Sequence, residues 1–208
     1  MTKYLFSRRS LGLSGGLSVL LAGLAVSPAM ASPKPTTSVD TSACSTPRLS
    51  QPFLSAGDSN WYTLAPGESP DNFAGGGWTL TGGARIITTR LQDGQRGSVL
   101  DLPSGSTAVS PPMCVASDYP TARTIVRDVV GSEGVHTYVS YAGTKTAYQP
   151  QNTGQVHGSQ TAWTLSNPIN VHPGNLAGWQ LVQFTLVPGG KTSDFLIYNF
   201  YVDPRMKG

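Results

Sequence analysis

The sequence predicts an all-β protein: a single β-sandwich or jelly roll with one disulfide, preceded by a signal peptide. Three observations predict it. No long stretch repeats apolar residues at helical spacing. Instead, short runs rich in Val, Ile, Thr, Trp and Tyr are punctuated by Gly, Pro, Asn and Asp, the pattern of many short strands and frequent turns. Two cysteines, Cys44 and Cys114, lie far apart in a chain whose start reads as an export signal.

That start is basic (Lys3, Arg8, Arg9), then largely apolar from Leu11 to about Val26, and reaches the small-x-small site Ala29-Met30-Ala31 before Ser32. Charged, apolar and small-residue regions in that order make a secretory signal peptide over residues 1–31. Within it, Ser-Arg-Arg-Ser-Leu-Gly-Leu at residues 7–13 has the paired arginines of a twin-arginine signal. The apolar run is Gly-rich and short of the roughly 20 residues that a membrane span needs. The expected location is therefore secreted, extracellular or cell-surface associated, with no span after cleavage.

Removing residues 1–31 removes Lys3, Arg8 and Arg9 and no acid, leaving eleven cations against eleven anions. A neutral domain lacks the basic footprint of a nucleic-acid binder. Charged residues make up 12% of the whole chain, against about 25% in ordinary globular proteins. The surface must be rich in hydroxyl and amide groups, which suits contact with sugars and also typifies secreted β proteins.

Residues 32–43 are polar and Pro-containing and read as a disordered linker. The β-sandwich domain is expected over residues 44–208. Cys44 and Cys114 are expected to pair, as an even pair in an exported chain does. A redox pair or shared metal ligation is the alternative, without the close C-x-x-C spacing that such chemistry favours. Strands are expected near Trp61–Leu64, Trp78–Leu91 (broken at Gly82-Gly83), Ser98–Leu102, Ala122–Val130, Val135–Tyr141, Ala162–Leu165, Trp179–Val187 and Phe195–Val202. There is no internal repeat.

Gly131-Ser132-Glu133-Gly134 reads as a hairpin turn setting Val130 opposite Val135. Side chains alternate faces along a strand. Val126, Val130, Val135, Val139 and Tyr141 then form a core face. Arg123, Arg127, His136, Tyr138 and Ser140 form the other. In Trp179–Val187, Val182, Phe184 and Leu186 face one way, and Trp179, Gln183 and Thr185 the other. If these strands are neighbours, Arg127, Tyr138, Trp179 and Gln183 share a polar-aromatic surface. Such a surface offers a ring for the apolar side of a pyranose and fixed partners for its hydroxyls. A solvated outer sheet face with incidental aromatics is the plainer reading of the same residues.

Several segments together resemble a family of secreted proteins of unknown function from soil bacteria. They are Cys44-Ser-Thr-Pro-Arg-Leu-Ser-Gln-Pro-Phe53 with Gly57-Asp58, Gly77-Trp-Thr-Leu-Thr-Gly-Gly-Ala84, Ala108-Val-Ser-Pro-Pro-Met-Cys-Val115, Arg123 to Arg127, Val135 to Tyr141 and Tyr201-Val-Asp-Pro204. The resemblance implies a jelly roll similar to carbohydrate-binding modules, with both cysteines in the pattern and no known activity. Modules of that shape often hold a structural calcium between an early and a late acidic residue. Here Asn72-Phe73-Ala74 has Ala where Glu is usual, and Tyr198 and Asn199 stand where an acid is expected. Only Asp203 matches, so no metal and no cofactor are expected.

Catalytic motifs are thin. Gly12-Leu13-Ser14-Gly15-Gly16 has nucleophile-elbow spacing but lies inside the signal peptide. Gly190-Lys191-Thr192 ends like a phosphate loop, yet Thr185 stands where Gly is required. His136, His157 and His172 form no metal-binding pair. Nothing singles out a carboxylate pair among the aspartates, and Asp58 and Asp203 read as turn and strand-end residues. Trp61, Trp78 and Trp163 read as core. The expected function is non-catalytic binding of a polysaccharide or cell-envelope glycan. A cell-surface structural or protein-interaction domain is the alternative, and a hydrolase with a dispersed carboxylate site comes third.

Overall fold

The computed structural model describes residues 40–116, 121–141, 151–171 and 179–203; the residues read above as a signal peptide, and most of those read as a linker, lie outside them. Among the described residues, fifteen strands follow a one-turn 3-10 helix (Leu54–Ala56). The first five are β1 (Thr63–Leu64), β2 (Glu68–Ser69), β3 (Asn72–Phe73), β4 (Thr79–Thr81) and β5 (Arg85–Arg90). Next come β6 (Arg96–Pro103), β7 (Thr107–Val109), β8 (Met113–Ala116), β9 (Thr121–Val130) and β10 (Val135–Tyr141). The last are β11 (Gln151–Val156), β12 (Thr164–Leu165), β13 (Ile169–Asn170), β14 (Trp179–Pro188) and β15 (Asp194–Val202).

They form two principal sheets and a short β2–β3 ribbon. The seven-stranded sheet runs β12-β9-β15-β6-β5, with β1 on β15 and β13 on β9; the six-stranded sheet runs β11-β10-β14-β7-β4, with β8 also on β14. These strands pair antiparallel throughout. The core lies between the sheets. Phe184 of β14 meets Phe200 of β15 with ring centroids 4.9 Å apart, and Trp78 lies 6.1 Å from Phe200 and 5.0 Å from Phe73. The Trp78 indole donates to the Pro66 carbonyl, so its one polar group is satisfied in the core. The expected all-β sandwich and its disulfide are present: Cys44 and Cys114 are bonded, with Cα atoms 5.7 Å apart.

Gly82 and Gly83 break the predicted Trp78–Leu91 strand for a physical reason. Both have positive φ, 62° and 98°, and they carry the chain from β4 in one sheet to β5 in the other. A Cβ on Gly82 would collide with the Gly105 carbonyl oxygen, so only glycine fits.

Three expectations need correction. The Gly131–Gly134 turn does not close a hairpin, because β9 and β10 belong to opposite sheets. Val126 of β9 and Val135 and Val139 of β10 are all buried, and they enter the core from opposite sheets. Val130 is 49% exposed rather than core. Asp194 pairs with Val130 and Phe195 with Asp128, so Val129 is an unpaired bulge residue that throws off the alternation. Trp61 is 53% exposed, whereas Trp78 is core and Trp163 packs partly buried against the core's edge.

Candidate functional site

The outward face of the six-stranded sheet gathers three of the four predicted site residues. Ser140 stands opposite Gln183, Tyr138 opposite Thr185 and His136 opposite Val187 across β10–β14. The buried Val135, Thr137, Val139 and Tyr141 alternate with them, which fixes His136, Tyr138 and Ser140 outward. On β14 the inward set is Val182, Phe184 and Leu186, so Gln183 and Thr185 face out, and Trp179 has the same parity four residues earlier. Trp179 therefore lies about 13 Å along the strand from Gln183, opposite Ala116 of β8.

The rings of His136 and Tyr138 lie 6.4 Å apart and 28° from parallel, a short half-exposed aromatic strip. Polar groups border it. The Gln155 amide nitrogen approaches the His136 ring nitrogens at 3.0 and 3.1 Å, Asn152 stands opposite Tyr138, and the Gln183 amide donates to the Ser110 carbonyl. The sheet's backbone hydrogen bonds anchor every one of these residues. Asn152 and Gln155 escape a reading of the sequence because β11 is polar on both sides of its alternation and resembles a loop.

Arg127 is not part of this face. It sits on β9, opposite Leu196, on the outside of the seven-stranded sheet. Its separation from Tyr138 follows directly from the sandwich crossing at Gly131–Gly134. Its Nε is buried without a hydrogen bond.

That opposite outer surface holds a half-open groove of about 460 Å³. Ile125, Leu165 and Tyr198 form its floor, with the Pro52–Ala56 loop and the Leu91–Asp93 turn as walls. Trp163 packs edge-on against Tyr198 at 4.9 Å, and its indole donates to the Arg90 carbonyl, bracing the turn. Asp71 and Asn199 close one end. Both have left-handed backbones, with φ of 59° and 56°. The Asp71 amide donates to Asn199 Oδ1 at 2.9 Å, and Asn199 Nδ2 donates to Asp71 Oδ1 at 2.8 Å. Asn199 is left unpaired in the β15–β9 register between Tyr198 and Tyr201, a bulge that no sequence pattern announces.

A shallower depression adjoins at Ala56. There Arg123 donates to Asp58 Oδ2 at 2.5 Å and twice to the Ser166 carbonyl, while the Tyr62 hydroxyl donates to the same Asp58 oxygen. Burial pushes the Asp58 carboxyl up, but its bonds to Arg123, Asn60 and Tyr62 outweigh it and hold the group below the usual range. Asp58 is therefore an ion-pair member rather than a simple turn residue. Burial, with the Asp58 bond, pushes the Tyr62 hydroxyl up to about 12.

The residues near the chain's early and late acids do not fit calcium. Glu68 accepts from the Phe200 amide through one oxygen, while its other oxygen is buried and unbonded. Burial raises its carboxyl well above the usual range, toward the neutral form. Asp71 Oδ1 is taken by Asn199 Nδ2, and no three acidic, His or Cys side chains converge among the described residues. Calcium wants six to eight oxygens, several of them carboxylates.

One carboxyl is strongly perturbed. Asp101 of β6 is pushed up to about 6, by burial first and then by hydrogen bonding and repulsion from Asp194, against the opposing pull of Arg85, which it meets at 2.5 Å.

Two face-to-face antiparallel sheets with one disulfide make a β-sandwich, and the solved structures to which it is similar include carbohydrate-binding modules with jelly-roll folds. One is the CBM22-1 xylan-binding domain of Xyn10C from Paenibacillus barcinonensis: 14% identity, TM-score 0.44, covering 69% of this chain and 94% of that one. Another xylan-binding domain of CBM 22 has 12% identity and a TM-score of 0.46 over 72% of this chain and 99% of that one. TmCBM61, solved with β-1,4-galactotriose, has 8% identity and a TM-score of 0.38 over 62% of this chain and 88% of that one. No family model matches the sequence, and no curated protein matches it. At such low identity these likenesses describe a layout of strands; the site rests on this chain's own side chains.

Proposed function

We propose that this protein is exported, loses residues 1–31, and binds a polysaccharide or cell-envelope glycan on the outward face of its six-stranded sheet. The observation that carries the reading is Tyr138, Gln183 and Trp179 on one sheet face, joined there by His136. Half-exposed rings take the apolar side of a pyranose, and amides and hydroxyls take its edges. These face residues include no carboxylate and no Lys or Arg, which suits an uncharged polymer. Rigid strands place these groups before the ligand arrives, so little ordering cost falls on binding.

The test is affinity electrophoresis or calorimetry of the protein against cell-wall, plant and microbial polysaccharides. Tyr138→Ala and Trp179→Ala each lower affinity about 5- to 100-fold for the polymer that binds, on the scale of one to three kcal/mol per stacked ring. No affinity for any glycan sinks the reading. In that case the exposed Leu54 and Trp61, 57% and 53% accessible in one loop, favour a protein partner at the cell surface. Export has its own test: N-terminal sequencing of secreted protein is expected to begin at Ser32, and an intact Met1 refutes it.

A further inference from the structure

The groove on the seven-stranded sheet carries a charge pattern that the opposite face lacks. Among the described residues its charged lining is Asp71 and Asp93, with no Lys or Arg. The guanidinium in the adjoining depression, on Arg123, is already engaged by Asp58 and the Ser166 carbonyl. Arg90 and Arg96 flank the Leu91–Asp93 turn at exposed strand ends and do not line the groove. Two carboxylates in one concavity with low-dielectric walls focus a negative potential there.

Each carboxylate keeps a ligating oxygen. Asp71 uses Oδ1 for Asn199 Nδ2, and Asp93 uses Oδ1 to accept from the Gln95 amide at 2.8 Å, so both retain Oδ2. Gln92 and Asn199 line the same groove, with the edges of the mostly buried Phe53, Leu91 and Ile125. The volume of about 460 Å³ falls in the range of small-ligand sites. Apolar patches, amide partners and two anions in one groove match a sugar ring with hydroxyls and a protonated amine. A uronic acid is repelled there, and a neutral or N-acetylated sugar leaves both carboxylates without a cation.

We infer that this groove is a second glycan site, selective for chains of hexosamine units with a free amino group. Choosing a sugar as the carrier of the amine rests on the glycan-binding reading above; the groove's location and charge are independent of the Tyr138 face.

The test is calorimetric titration of the protein at low and moderate salt with a short, fully de-N-acetylated glucosamine oligomer, its N-acetylated counterpart, an oligogalacturonate and spermidine. The de-N-acetylated oligomer binds best, and added salt weakens it. Asp93→Asn lowers its affinity about three- to fivefold, the scale of one partly exposed ion pair, while preserving the turn contact to Gln95. Tyr138→Ala leaves this binding unchanged. Equal binding of the N-acetylated oligomer or of spermidine to the Tyr138→Ala protein overturns the inference, as does an Asp93→Asn variant with unaltered affinity. If Tyr138→Ala alone abolishes binding, the sheet-face site stands and the groove falls. Binding lost with Asp93→Asn but insensitive to Tyr138→Ala for every glycan leaves the groove standing and removes the sheet-face site. No binding to any oligomer removes the groove site, and the sheet-face reading falls only if the polysaccharides named above also fail to bind.

Discussion

Asp101 sets a testable pH dependence at the scale of a single residue. Its carboxyl sits in hydrogen-bond contact with Asp194 and against Arg85, and its folded value of about 6 exceeds the ordinary 3.8. The folded state therefore holds a proton that the unfolded state releases, so stability falls as pH rises from about 4 to about 6 and is level above that. The loss is about 1–2 kcal/mol once the water-exposed Arg85 side is allowed for. Urea unfolding across that range should show the decline, and Asp101→Asn should flatten it. A wild-type profile that rises through the window refutes the raised Asp101 carboxyl. Asp101 is legible in the sequence only as one aspartate among several; its partners come from cross-strand register, Arg85 on β5 and Leu196, two residues after Asp194, on β15.

At the scale of the element, the corner at Gly82 separates two strands that a pattern reading nearly joins. Gly82→Ala places a methyl against the Gly105 carbonyl and forces an L-residue to a φ of 62°. The expected cost is about 2–4 kcal/mol, larger than a simple left-handed penalty because backbone must also move. Chemical denaturation measures it, and a loss under about 1 kcal/mol would mean that the corner relaxes freely. β10 and, from Leu181 onward, β14 are readable because they alternate cleanly between buried and half-exposed residues. β9 is readable as a strand but not as a neighbour. Val129 at its bulge and the residues of the following turn decide which sheet the chain enters next, and that choice depends on what the other strands bury.

The disulfide acts at the scale of the whole molecule. Cys44 lies before β1, and Cys114 on β8 pairs with Leu181 of β14, so the bond ties the start of the described chain to the six-stranded sheet. It closes a loop with a sequence separation of 70 residues. In the chain-entropy account such a bond restrains the unfolded state by roughly 4 kcal/mol, and strain or residual structure lowers the realised gain. The Cys44→Ser/Cys114→Ser protein is expected to unfold about 2–4 kcal/mol more easily while keeping its strand content by circular dichroism. Unchanged stability would show that the sandwich closes equally well without the bond.

The sequence by itself determined the all-β class, the two-cysteine bond, the Gly82-Gly83 break and the face assignments within β10 and β14. Each is local: turn residues, alternation of period two, and cysteine number act over a few positions. Only the tertiary structure decided that Arg127 stands on one outer surface while Tyr138, Gln183 and Trp179 share the other, and that Asp71 meets Asn199 at the end of a groove. Those placements depend on which strands pair and where a bulge shifts the parity. Packing settles both across residues up to 128 positions apart, because burying two apolar faces together outweighs the preference of any one turn.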